Sequence, residues 1–242
     1  MAVGFRIAGA LAANATTTTL AVVAPTTGVV ADDVFICAIQ QNANQVVSPP
    51  ANWTLILELN NTANQRCGLW WHRVVAGDAG ATFNFTKPVD DNLLFCGVIA
   101  CFSGCKNSGD PTTGAGTPTT SANASSDTVT YATFDPAIAC HVVAVGFYNN
   151  DLTTAGSISG TDPTLTNRWD LETSTGNDGS IFGYSGDSTG AATGARSHST
   201  TSTLDDVNIG VLFGLEAGIG FDEETIMPKP KLIADDAVVS VW

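Results

Sequence analysis

The chain has 242 residues, 44% of them hydrophobic and only 13% charged, with 9 Lys+Arg against 23 Asp+Glu. That length allows one large β domain, or a domain with an appendage. The net charge of −14 and the sparse cations (only Arg168 and Arg196 between Lys106 and Lys229) exclude the clustered basic surface that nucleic acid or an anionic membrane demands.

Taken in chain order, Met1–Thr19 holds one arginine and an Ala-rich stretch, and it is not expected to act as a signal peptide. No run approaches the roughly 18 apolar residues that span a bilayer. Short runs rich in Val, Ile, Phe, Trp and Thr then predict strands at Thr18–Val23, Val34–Gln41, Thr54–Leu59, Cys67–Val75, Thr82–Thr86 and Leu93–Phe102. A second series is expected at Thr128–Ala132, Ile138–Tyr148, Arg168–Thr173, Ser180–Tyr184, His198–Thr203 and Asn208–Leu215. Turn residues punctuate them, among them Pro49-Pro50, Gly77-Asp78 and Asn149-Asn150. No window carries a capped apolar period of 3.6 residues, so no long helix is expected.

The runs Leu93–Phe102 and Ile138–Phe147 are almost continuously apolar, which predicts central strands packed on both faces. Arg66, His72 and Arg73 interrupt the strand of Trp70 and Trp71, so one of its faces should meet water or a partner. Neighbours on a strand point to opposite faces, and the outward member of that tryptophan pair is the expected interface anchor. Asn107–Asp127, Asn149–Asn167 and Ser185–Arg196 read as long polar loops, either mobile excursions or contact surfaces.

The last segment changes character. Ala217-Gly218-Ile219-Gly220 reads as a joint, and Pro228-Lys229-Pro230-Lys231 favours an extended chain. Phe221, Ile226, Leu232, Ile233, Val238, Val239 and Trp242 are more apolar than a solvated tail needs. The expectation is a β-sandwich over residues 1–217 and a docking arm over 218–242, either on another subunit or back on its own sandwich as an edge strand.

Residue types that carry chemistry are scattered, and no catalytic, cofactor-binding or metal residue is expected. His72, His141 and His198 lie far apart, and zinc spacings, the Gly-x-Ser-x-Gly elbow and a Walker loop are absent. Asp32-Asp33, Asp90-Asp91, Asp205-Asp206 and Asp235-Asp236 read as turn caps, with a calcium site as the alternative. Cys37, Cys67, Cys96 and Cys140 sit in apolar runs and read as buried thiols, while Cys101 and Cys105 bracket a turn and could pair. Among the aromatics, Tyr148, Trp169 and Tyr184 are the candidates for a sugar-stacking surface.

Five elements in order carry a resemblance. Val30-Ala-Asp-Asp-Val-Phe-Ile resembles a "GD-x-hydrophobic" opening strand, with Asp32 at the glycine position. Ser48-Pro-Pro-Ala-Asn-Trp-Thr resembles a "PP-x-GW-T" element, with Asn52 at the glycine. Gly68–Asp78 resembles a "YW…V-A-GD" strand, Val98–Gly104 a "hydrophobic-AY-SG" strand, and Asn208–Leu215 a closing strand. Over roughly residues 18–216 the series is similar to the β-sandwich virion-protein domain of tailed bacteriophages. The resemblance implies an all-β, jelly-roll-like antiparallel sandwich displayed on a virion as a capsid decoration, head fibre, tail or collar component. It supplies no catalytic residues. Its implied partners are other virion proteins, such as the major capsid or a tail or collar protein, and further copies of the chain as a homo-oligomer. Recognition of host-surface glycans is the alternative function. The implied location is the virion, after synthesis in the host cytoplasm.

Overall fold

The computed structural model describes residues 2–62, 64–150, 157–160, 162–175, 178–199 and 205–218. Among them are fifteen strands and no helix. The first half of the chain supplies β1 (Gly4–Ala8), β2 (Ala12–Asn14), β3 (Thr19–Val23), β4 (Val34–Gln41), β5 (Thr54–Asn61), β6 (Gln65–Arg73), β7 (Thr82–Thr86) and β8 (Phe95–Ser103). The second supplies β9 (Thr119–Ser126), β10 (Thr128–Tyr131), β11 (Cys140–Tyr148), β12 (Thr166–Thr173), β13 (Gly179–Ser188), β14 (Arg196–Ser199) and β15 (Asp206–Leu215).

The strands form an antiparallel sandwich of four layers. One main sheet has the order β1-β8-β4-β6-β5, with β2 also on β8, and the other has β12-β13-β11-β15-β9. The two main sheets face each other, and a two-stranded ribbon covers the outside of each: β3-β7 on the first, β10-β14 on the second. Side-chain alternation shows why the central runs are apolar throughout. Along β4, Val34, Ile36 and Ala38 enter the core between the main sheets, while Phe35, Cys37 and Ile39 enter the core beneath the β3-β7 ribbon. Along β11, Val143, Val145 and Phe147 face inward, and Val142, Ala144 and Tyr148 face the β10-β14 ribbon. Each main sheet therefore lacks a solvent face at its centre, as expected for β8 and β11.

The halves share one topology. Matching β2 through β8 in turn with β9 through β15 reproduces every sheet neighbour, including the ribbons β3-β7 and β10-β14. Registers agree as well. Ala12 pairs with Gly97 as Ser121 pairs with Gly210, and Leu20 pairs with Phe85 as Val129 pairs with His198. The repeat surfaces in sequence: Ala13-Asn14-Ala15 and Thr19 recur as Ala122-Asn123-Ala124 and Thr128, and Gly97-Val98 recurs as Gly210-Val211. The packing between halves is reciprocal at the centre of the sandwich, β8 on β13 and β6 on β15. That is the pattern of an isologous, two-fold contact, here within one chain.

Three strands escape the sequence reading. β1 and β2 lie in the Ala-rich start, and β9 lies inside the stretch Asn107–Asp127 expected as loop. Its residues, Thr, Ser, Ala and Asn, pair through the backbone with β15 and bring almost no apolar signal. Ser185–Ser188, also expected as loop, completes β13.

Candidate functional site

The family-like motifs of the first half converge at one pole, where β4 and β5 begin and β6 and β8 end. Four residues at the motifs' glycine positions hold positive φ: Asp32 (71°), Asn52 (69°), Gly77 (98°) and Gly104 (69°). Asn and Asp are the side chains that best tolerate this left-handed region, and Asp32 and Asn52 take it without a glycine. Asp33 caps its turn by accepting the Val30 N–H at 2.9 Å and pairs with Arg6 at 2.8 Å. Asp78 accepts the Val75 N–H at 2.7 Å and contacts His72 Nε2 at 2.8 Å, while His72 Nδ1 faces the Asn52 carbonyl at 3.0 Å. Trp53 stacks on His72 at 5.2 Å and meets the edges of Phe83 and Phe85. The motif residues thus lock the turns to the outer core.

Both halves also end at this pole. Cys105, just after β8, bridges to Ala217, just after β15, and Gly218 donates to the Gly104 carbonyl at 2.8 Å. Lys106 donates its N–H to the Glu216 carbonyl and pairs through Nζ with the Glu216 carboxylate, both at 2.9 Å. Arg73 reaches the Lys106 and Gly109 carbonyls at 2.6 and 3.2 Å. A Cβ on Gly104 would fall 2.1 Å from the Ala2 carbonyl oxygen. The root of the segment beyond Gly218 is therefore held by Gly104–Lys106 and by the Pro111 carbonyl, which accepts the Glu216 N–H at 2.7 Å. The residues read as its docking contacts, Phe221, Ile226, Leu232, Ile233, Val238, Val239 and Trp242, lie outside the described residues, as does Asp235-Asp236.

Several expected sites change on inspection. Tyr148, Trp169 and Tyr184 are buried, so none offers a face for sugar stacking. Trp169 seals the edge between sheets against Phe5, and the two tyrosines pack under the β10-β14 ribbon. Of the tryptophan pair, Trp70 fills the outer core, and Trp71 is half-buried at the rim of the inner core with Arg73 over its ring. Cys101 and Cys105 are free thiols that pack in different cores, so the turn they bracket is not closed by a disulfide here. All six cysteines are buried and free. Burial pushes Cys96 and Cys105 up to about 12 and Cys140 to about 11, so these thiols stay protonated.

The polar groups of the second half also serve the fold. Tyr184 and His198 occupy the places that Trp70 and Phe85 hold in the first half, and the hydroxyl meets His198 Nδ1 at 2.6 Å. Burial lowers His198 to about 4 and raises Tyr184 to about 12, which leaves a neutral pair. His141 sits beside Asp187 at 2.7 Å, but burial lowers it too. Asp90 and Asp91 cap their turn by accepting the N–H groups of Asn92 and Leu93, whereas Asp206 opens β15 and accepts the N–H of its neighbour Val207. Among the described residues no three His, Cys, Asp or Glu side chains converge to hold a metal. An open groove of about 500 Å³ beside β2 and β3 is lined by residues 12–17, 19–21 and Thr175, with methyl, hydroxyl and carboxamide groups as its walls.

No family model, curated protein or solved structure matches this chain.

Proposed function

We propose that the chain is a non-enzymatic structural protein of a bacteriophage virion, a capsid decoration or other particle-surface component that docks on neighbouring subunits through residues 218–242. The observation that carries the reading is the left-handed backbone at Asp32 and Asn52, the two places where the motif series calls for glycine. Asp and Asn tolerate this backbone better than other side chains do, so both turns stay compatible with the motif series. The four-layer build supports the same role, because main sheets covered on both faces make a stiff scaffold with little to rearrange. The clamp at Gly218 gives the following segment a fixed point of departure. Its apolar residues then bury against the capsid, tail or collar protein, or against another copy.

The test is deletion of residues 219–242 in the intact phage. The expected result is a folded sandwich, unchanged in its circular dichroism, that is lost from purified particles. A truncated protein found on particles at full occupancy would overturn the arm as the docking element.

A further inference from the structure

The two outer cores stand on the same scaffold and are filled differently. Register makes Val22, Trp70, Phe83 and Phe85 the counterparts of Tyr131, Tyr184, Arg196 and His198. The first half closes these four places with apolar side chains. The second half puts two hydroxyls, a guanidinium and an imidazole there, all buried. A strap lies over them. β14 pairs with β10 along one edge and carries residues 157–160 on the other. Ile158 bridges to His198, Ser159 donates its N–H to the Ser197 carbonyl at 2.8 Å, and the Ser197 N–H returns to the Ser159 hydroxyl at 2.8 Å. Arg196 ties the strap down through the Ser159 and Pro163 carbonyls at 3.0 and 2.6 Å. In the first half the loop between β4 and β5 meets β7 through backbone bonds between Ser48 and Thr86, at 2.8 and 3.0 Å.

We propose that β14 and residues 157–160 form an acid-released strap over the second outer core, with the His198 ring as its trigger. Nδ1 of that ring meets the Tyr184 hydroxyl at 2.6 Å, Phe182 stacks on the ring at 4.3 Å, and Nε2 is buried with no hydrogen-bond partner among the described residues. Whichever tautomer the neutral ring takes, the charged ring carries an N–H at Nε2, where no acceptor stands. Its charge also falls two residues from Arg196 on the same face of β14, where that guanidinium bonds to carbonyls. The other titratable groups packed in this core are Tyr131 of β10, Cys140 and Tyr148 of β11 and Tyr184 of β13, none of them a carboxylate. Asp162 and Asp170 act through their fields on Arg196 and Tyr184. Burial holds the ring down to about 4, and release into water returns it to about 6.5. The strap is therefore at its tightest above about pH 6.5, and acid between those values favours the released state. Lifting β14 bares the face of Phe182 that the ring covers.

The experiment is hydrogen exchange at single amides of the full chain, each referred to the unfolded chain at the same pH. From pH 7 to pH 4.5, protection at Ser159 and Ser197 should fall about fiftyfold, the ratio set by a ring that titrates near 6.5 when released and near 4 when held. Ser48 and Thr86, the fastening of the first half, should keep their protection. His198→Phe, which places the first half's residue in the second, should abolish the fall. Unchanged protection at Ser159 and Ser197 would overturn the strap, and so would a fall shared equally by Ser48, Thr86 and the main sheets, which is global unfolding. A fall that persists in His198→Phe would overturn the ring as trigger. Should that variant fail to fold, NMR titration of the His198 ring in the parent chain decides: a ring held well below 6.5 upholds the proposal, and one that titrates near 6.5 in the native protein overturns it.

Discussion

The duplicated architecture stakes most on two glycines. Gly97 and Gly210 occupy equivalent positions on the last strand of each half, beneath the covering ribbon. In the middle of a strand, Gly→Ala ordinarily gains about 0.5–1 kcal/mol from the lost freedom of the unfolded chain. Here the space reverses the sign. A Cβ on Gly210 would fall 2.0 Å from the Thr130 carbonyl oxygen and 2.9 Å from the Tyr131 ring. The first obstacle is backbone, so the ribbon must lift from the sheet. Overpacking of a well-filled core costs about 1–3 kcal/mol, and a backbone obstacle puts Gly210→Ala at the upper end, about 3 kcal/mol. On Gly97 the nearest atom is the Ile39 Cδ1 at 2.4 Å, the far end of a side chain that can turn, with the Ala38 oxygen at 3.1 Å. Gly97→Ala should cost about 1 kcal/mol. Urea unfolding followed by tryptophan fluorescence measures both, with the midpoints compared at a common slope. A Gly210→Ala protein as stable as the parent, or more stable than Gly97→Ala, would refute the direct seating of the ribbons on the main sheets.

Asn52→Gly should leave stability unchanged or raise it by up to about 1 kcal/mol, whereas Asn52→Val should lower it by about 1–2 kcal/mol, since a β-branched residue resists positive φ; chemical denaturation decides, and equal effects would count against the left-handed turn. His198, lowered by burial to about 4, binds its proton in the unfolded chain first. Stability contributed by the neutral ring is therefore whole above about pH 6.5 and falls as the pH drops toward 4, by some fraction of the about 1.4 kcal/mol per unit that a full proton difference would give. His198→Phe should flatten that part of the urea-midpoint profile, and an unchanged slope would contradict the burial argument. Thiol titration of the native protein should label none of the six cysteines quickly and all six in denaturant; one fast-reacting thiol in the native state would contradict the closed cores.

Much of the fold was legible in the sequence, and the reasons for the exceptions are physical. β4 and β7 run over the expected residues, because Val, Ile, Phe and Thr clusters between turn residues leave few alternatives. β9 hid because an edge strand of Thr, Ser, Ala and Asn has the composition of a loop, and only its backbone pairing makes it a strand. The repeat was present as Ala13-Asn14-Ala15 and Ala122-Asn123-Ala124, but three small residues are a faint signal until register ties them to equivalent strands. The two misplaced tyrosines share one cause. Alternation marks an outward side chain only where one face of a sheet is wet. Both main sheets are covered on both faces, so Tyr148 and Tyr184 point away from the inner core and into another one. Asp32 and Asn52 are a different case: turn residues by type, they take a left-handed backbone that their letters alone do not announce.

The most direct test of the account is quantitative mass spectrometry of purified virions produced from a genome that encodes this chain. The account predicts the full chain in the particles, in a fixed number of copies relative to the major capsid protein. Particles that are complete and infectious without it, with the protein left in the soluble lysate, would contradict it.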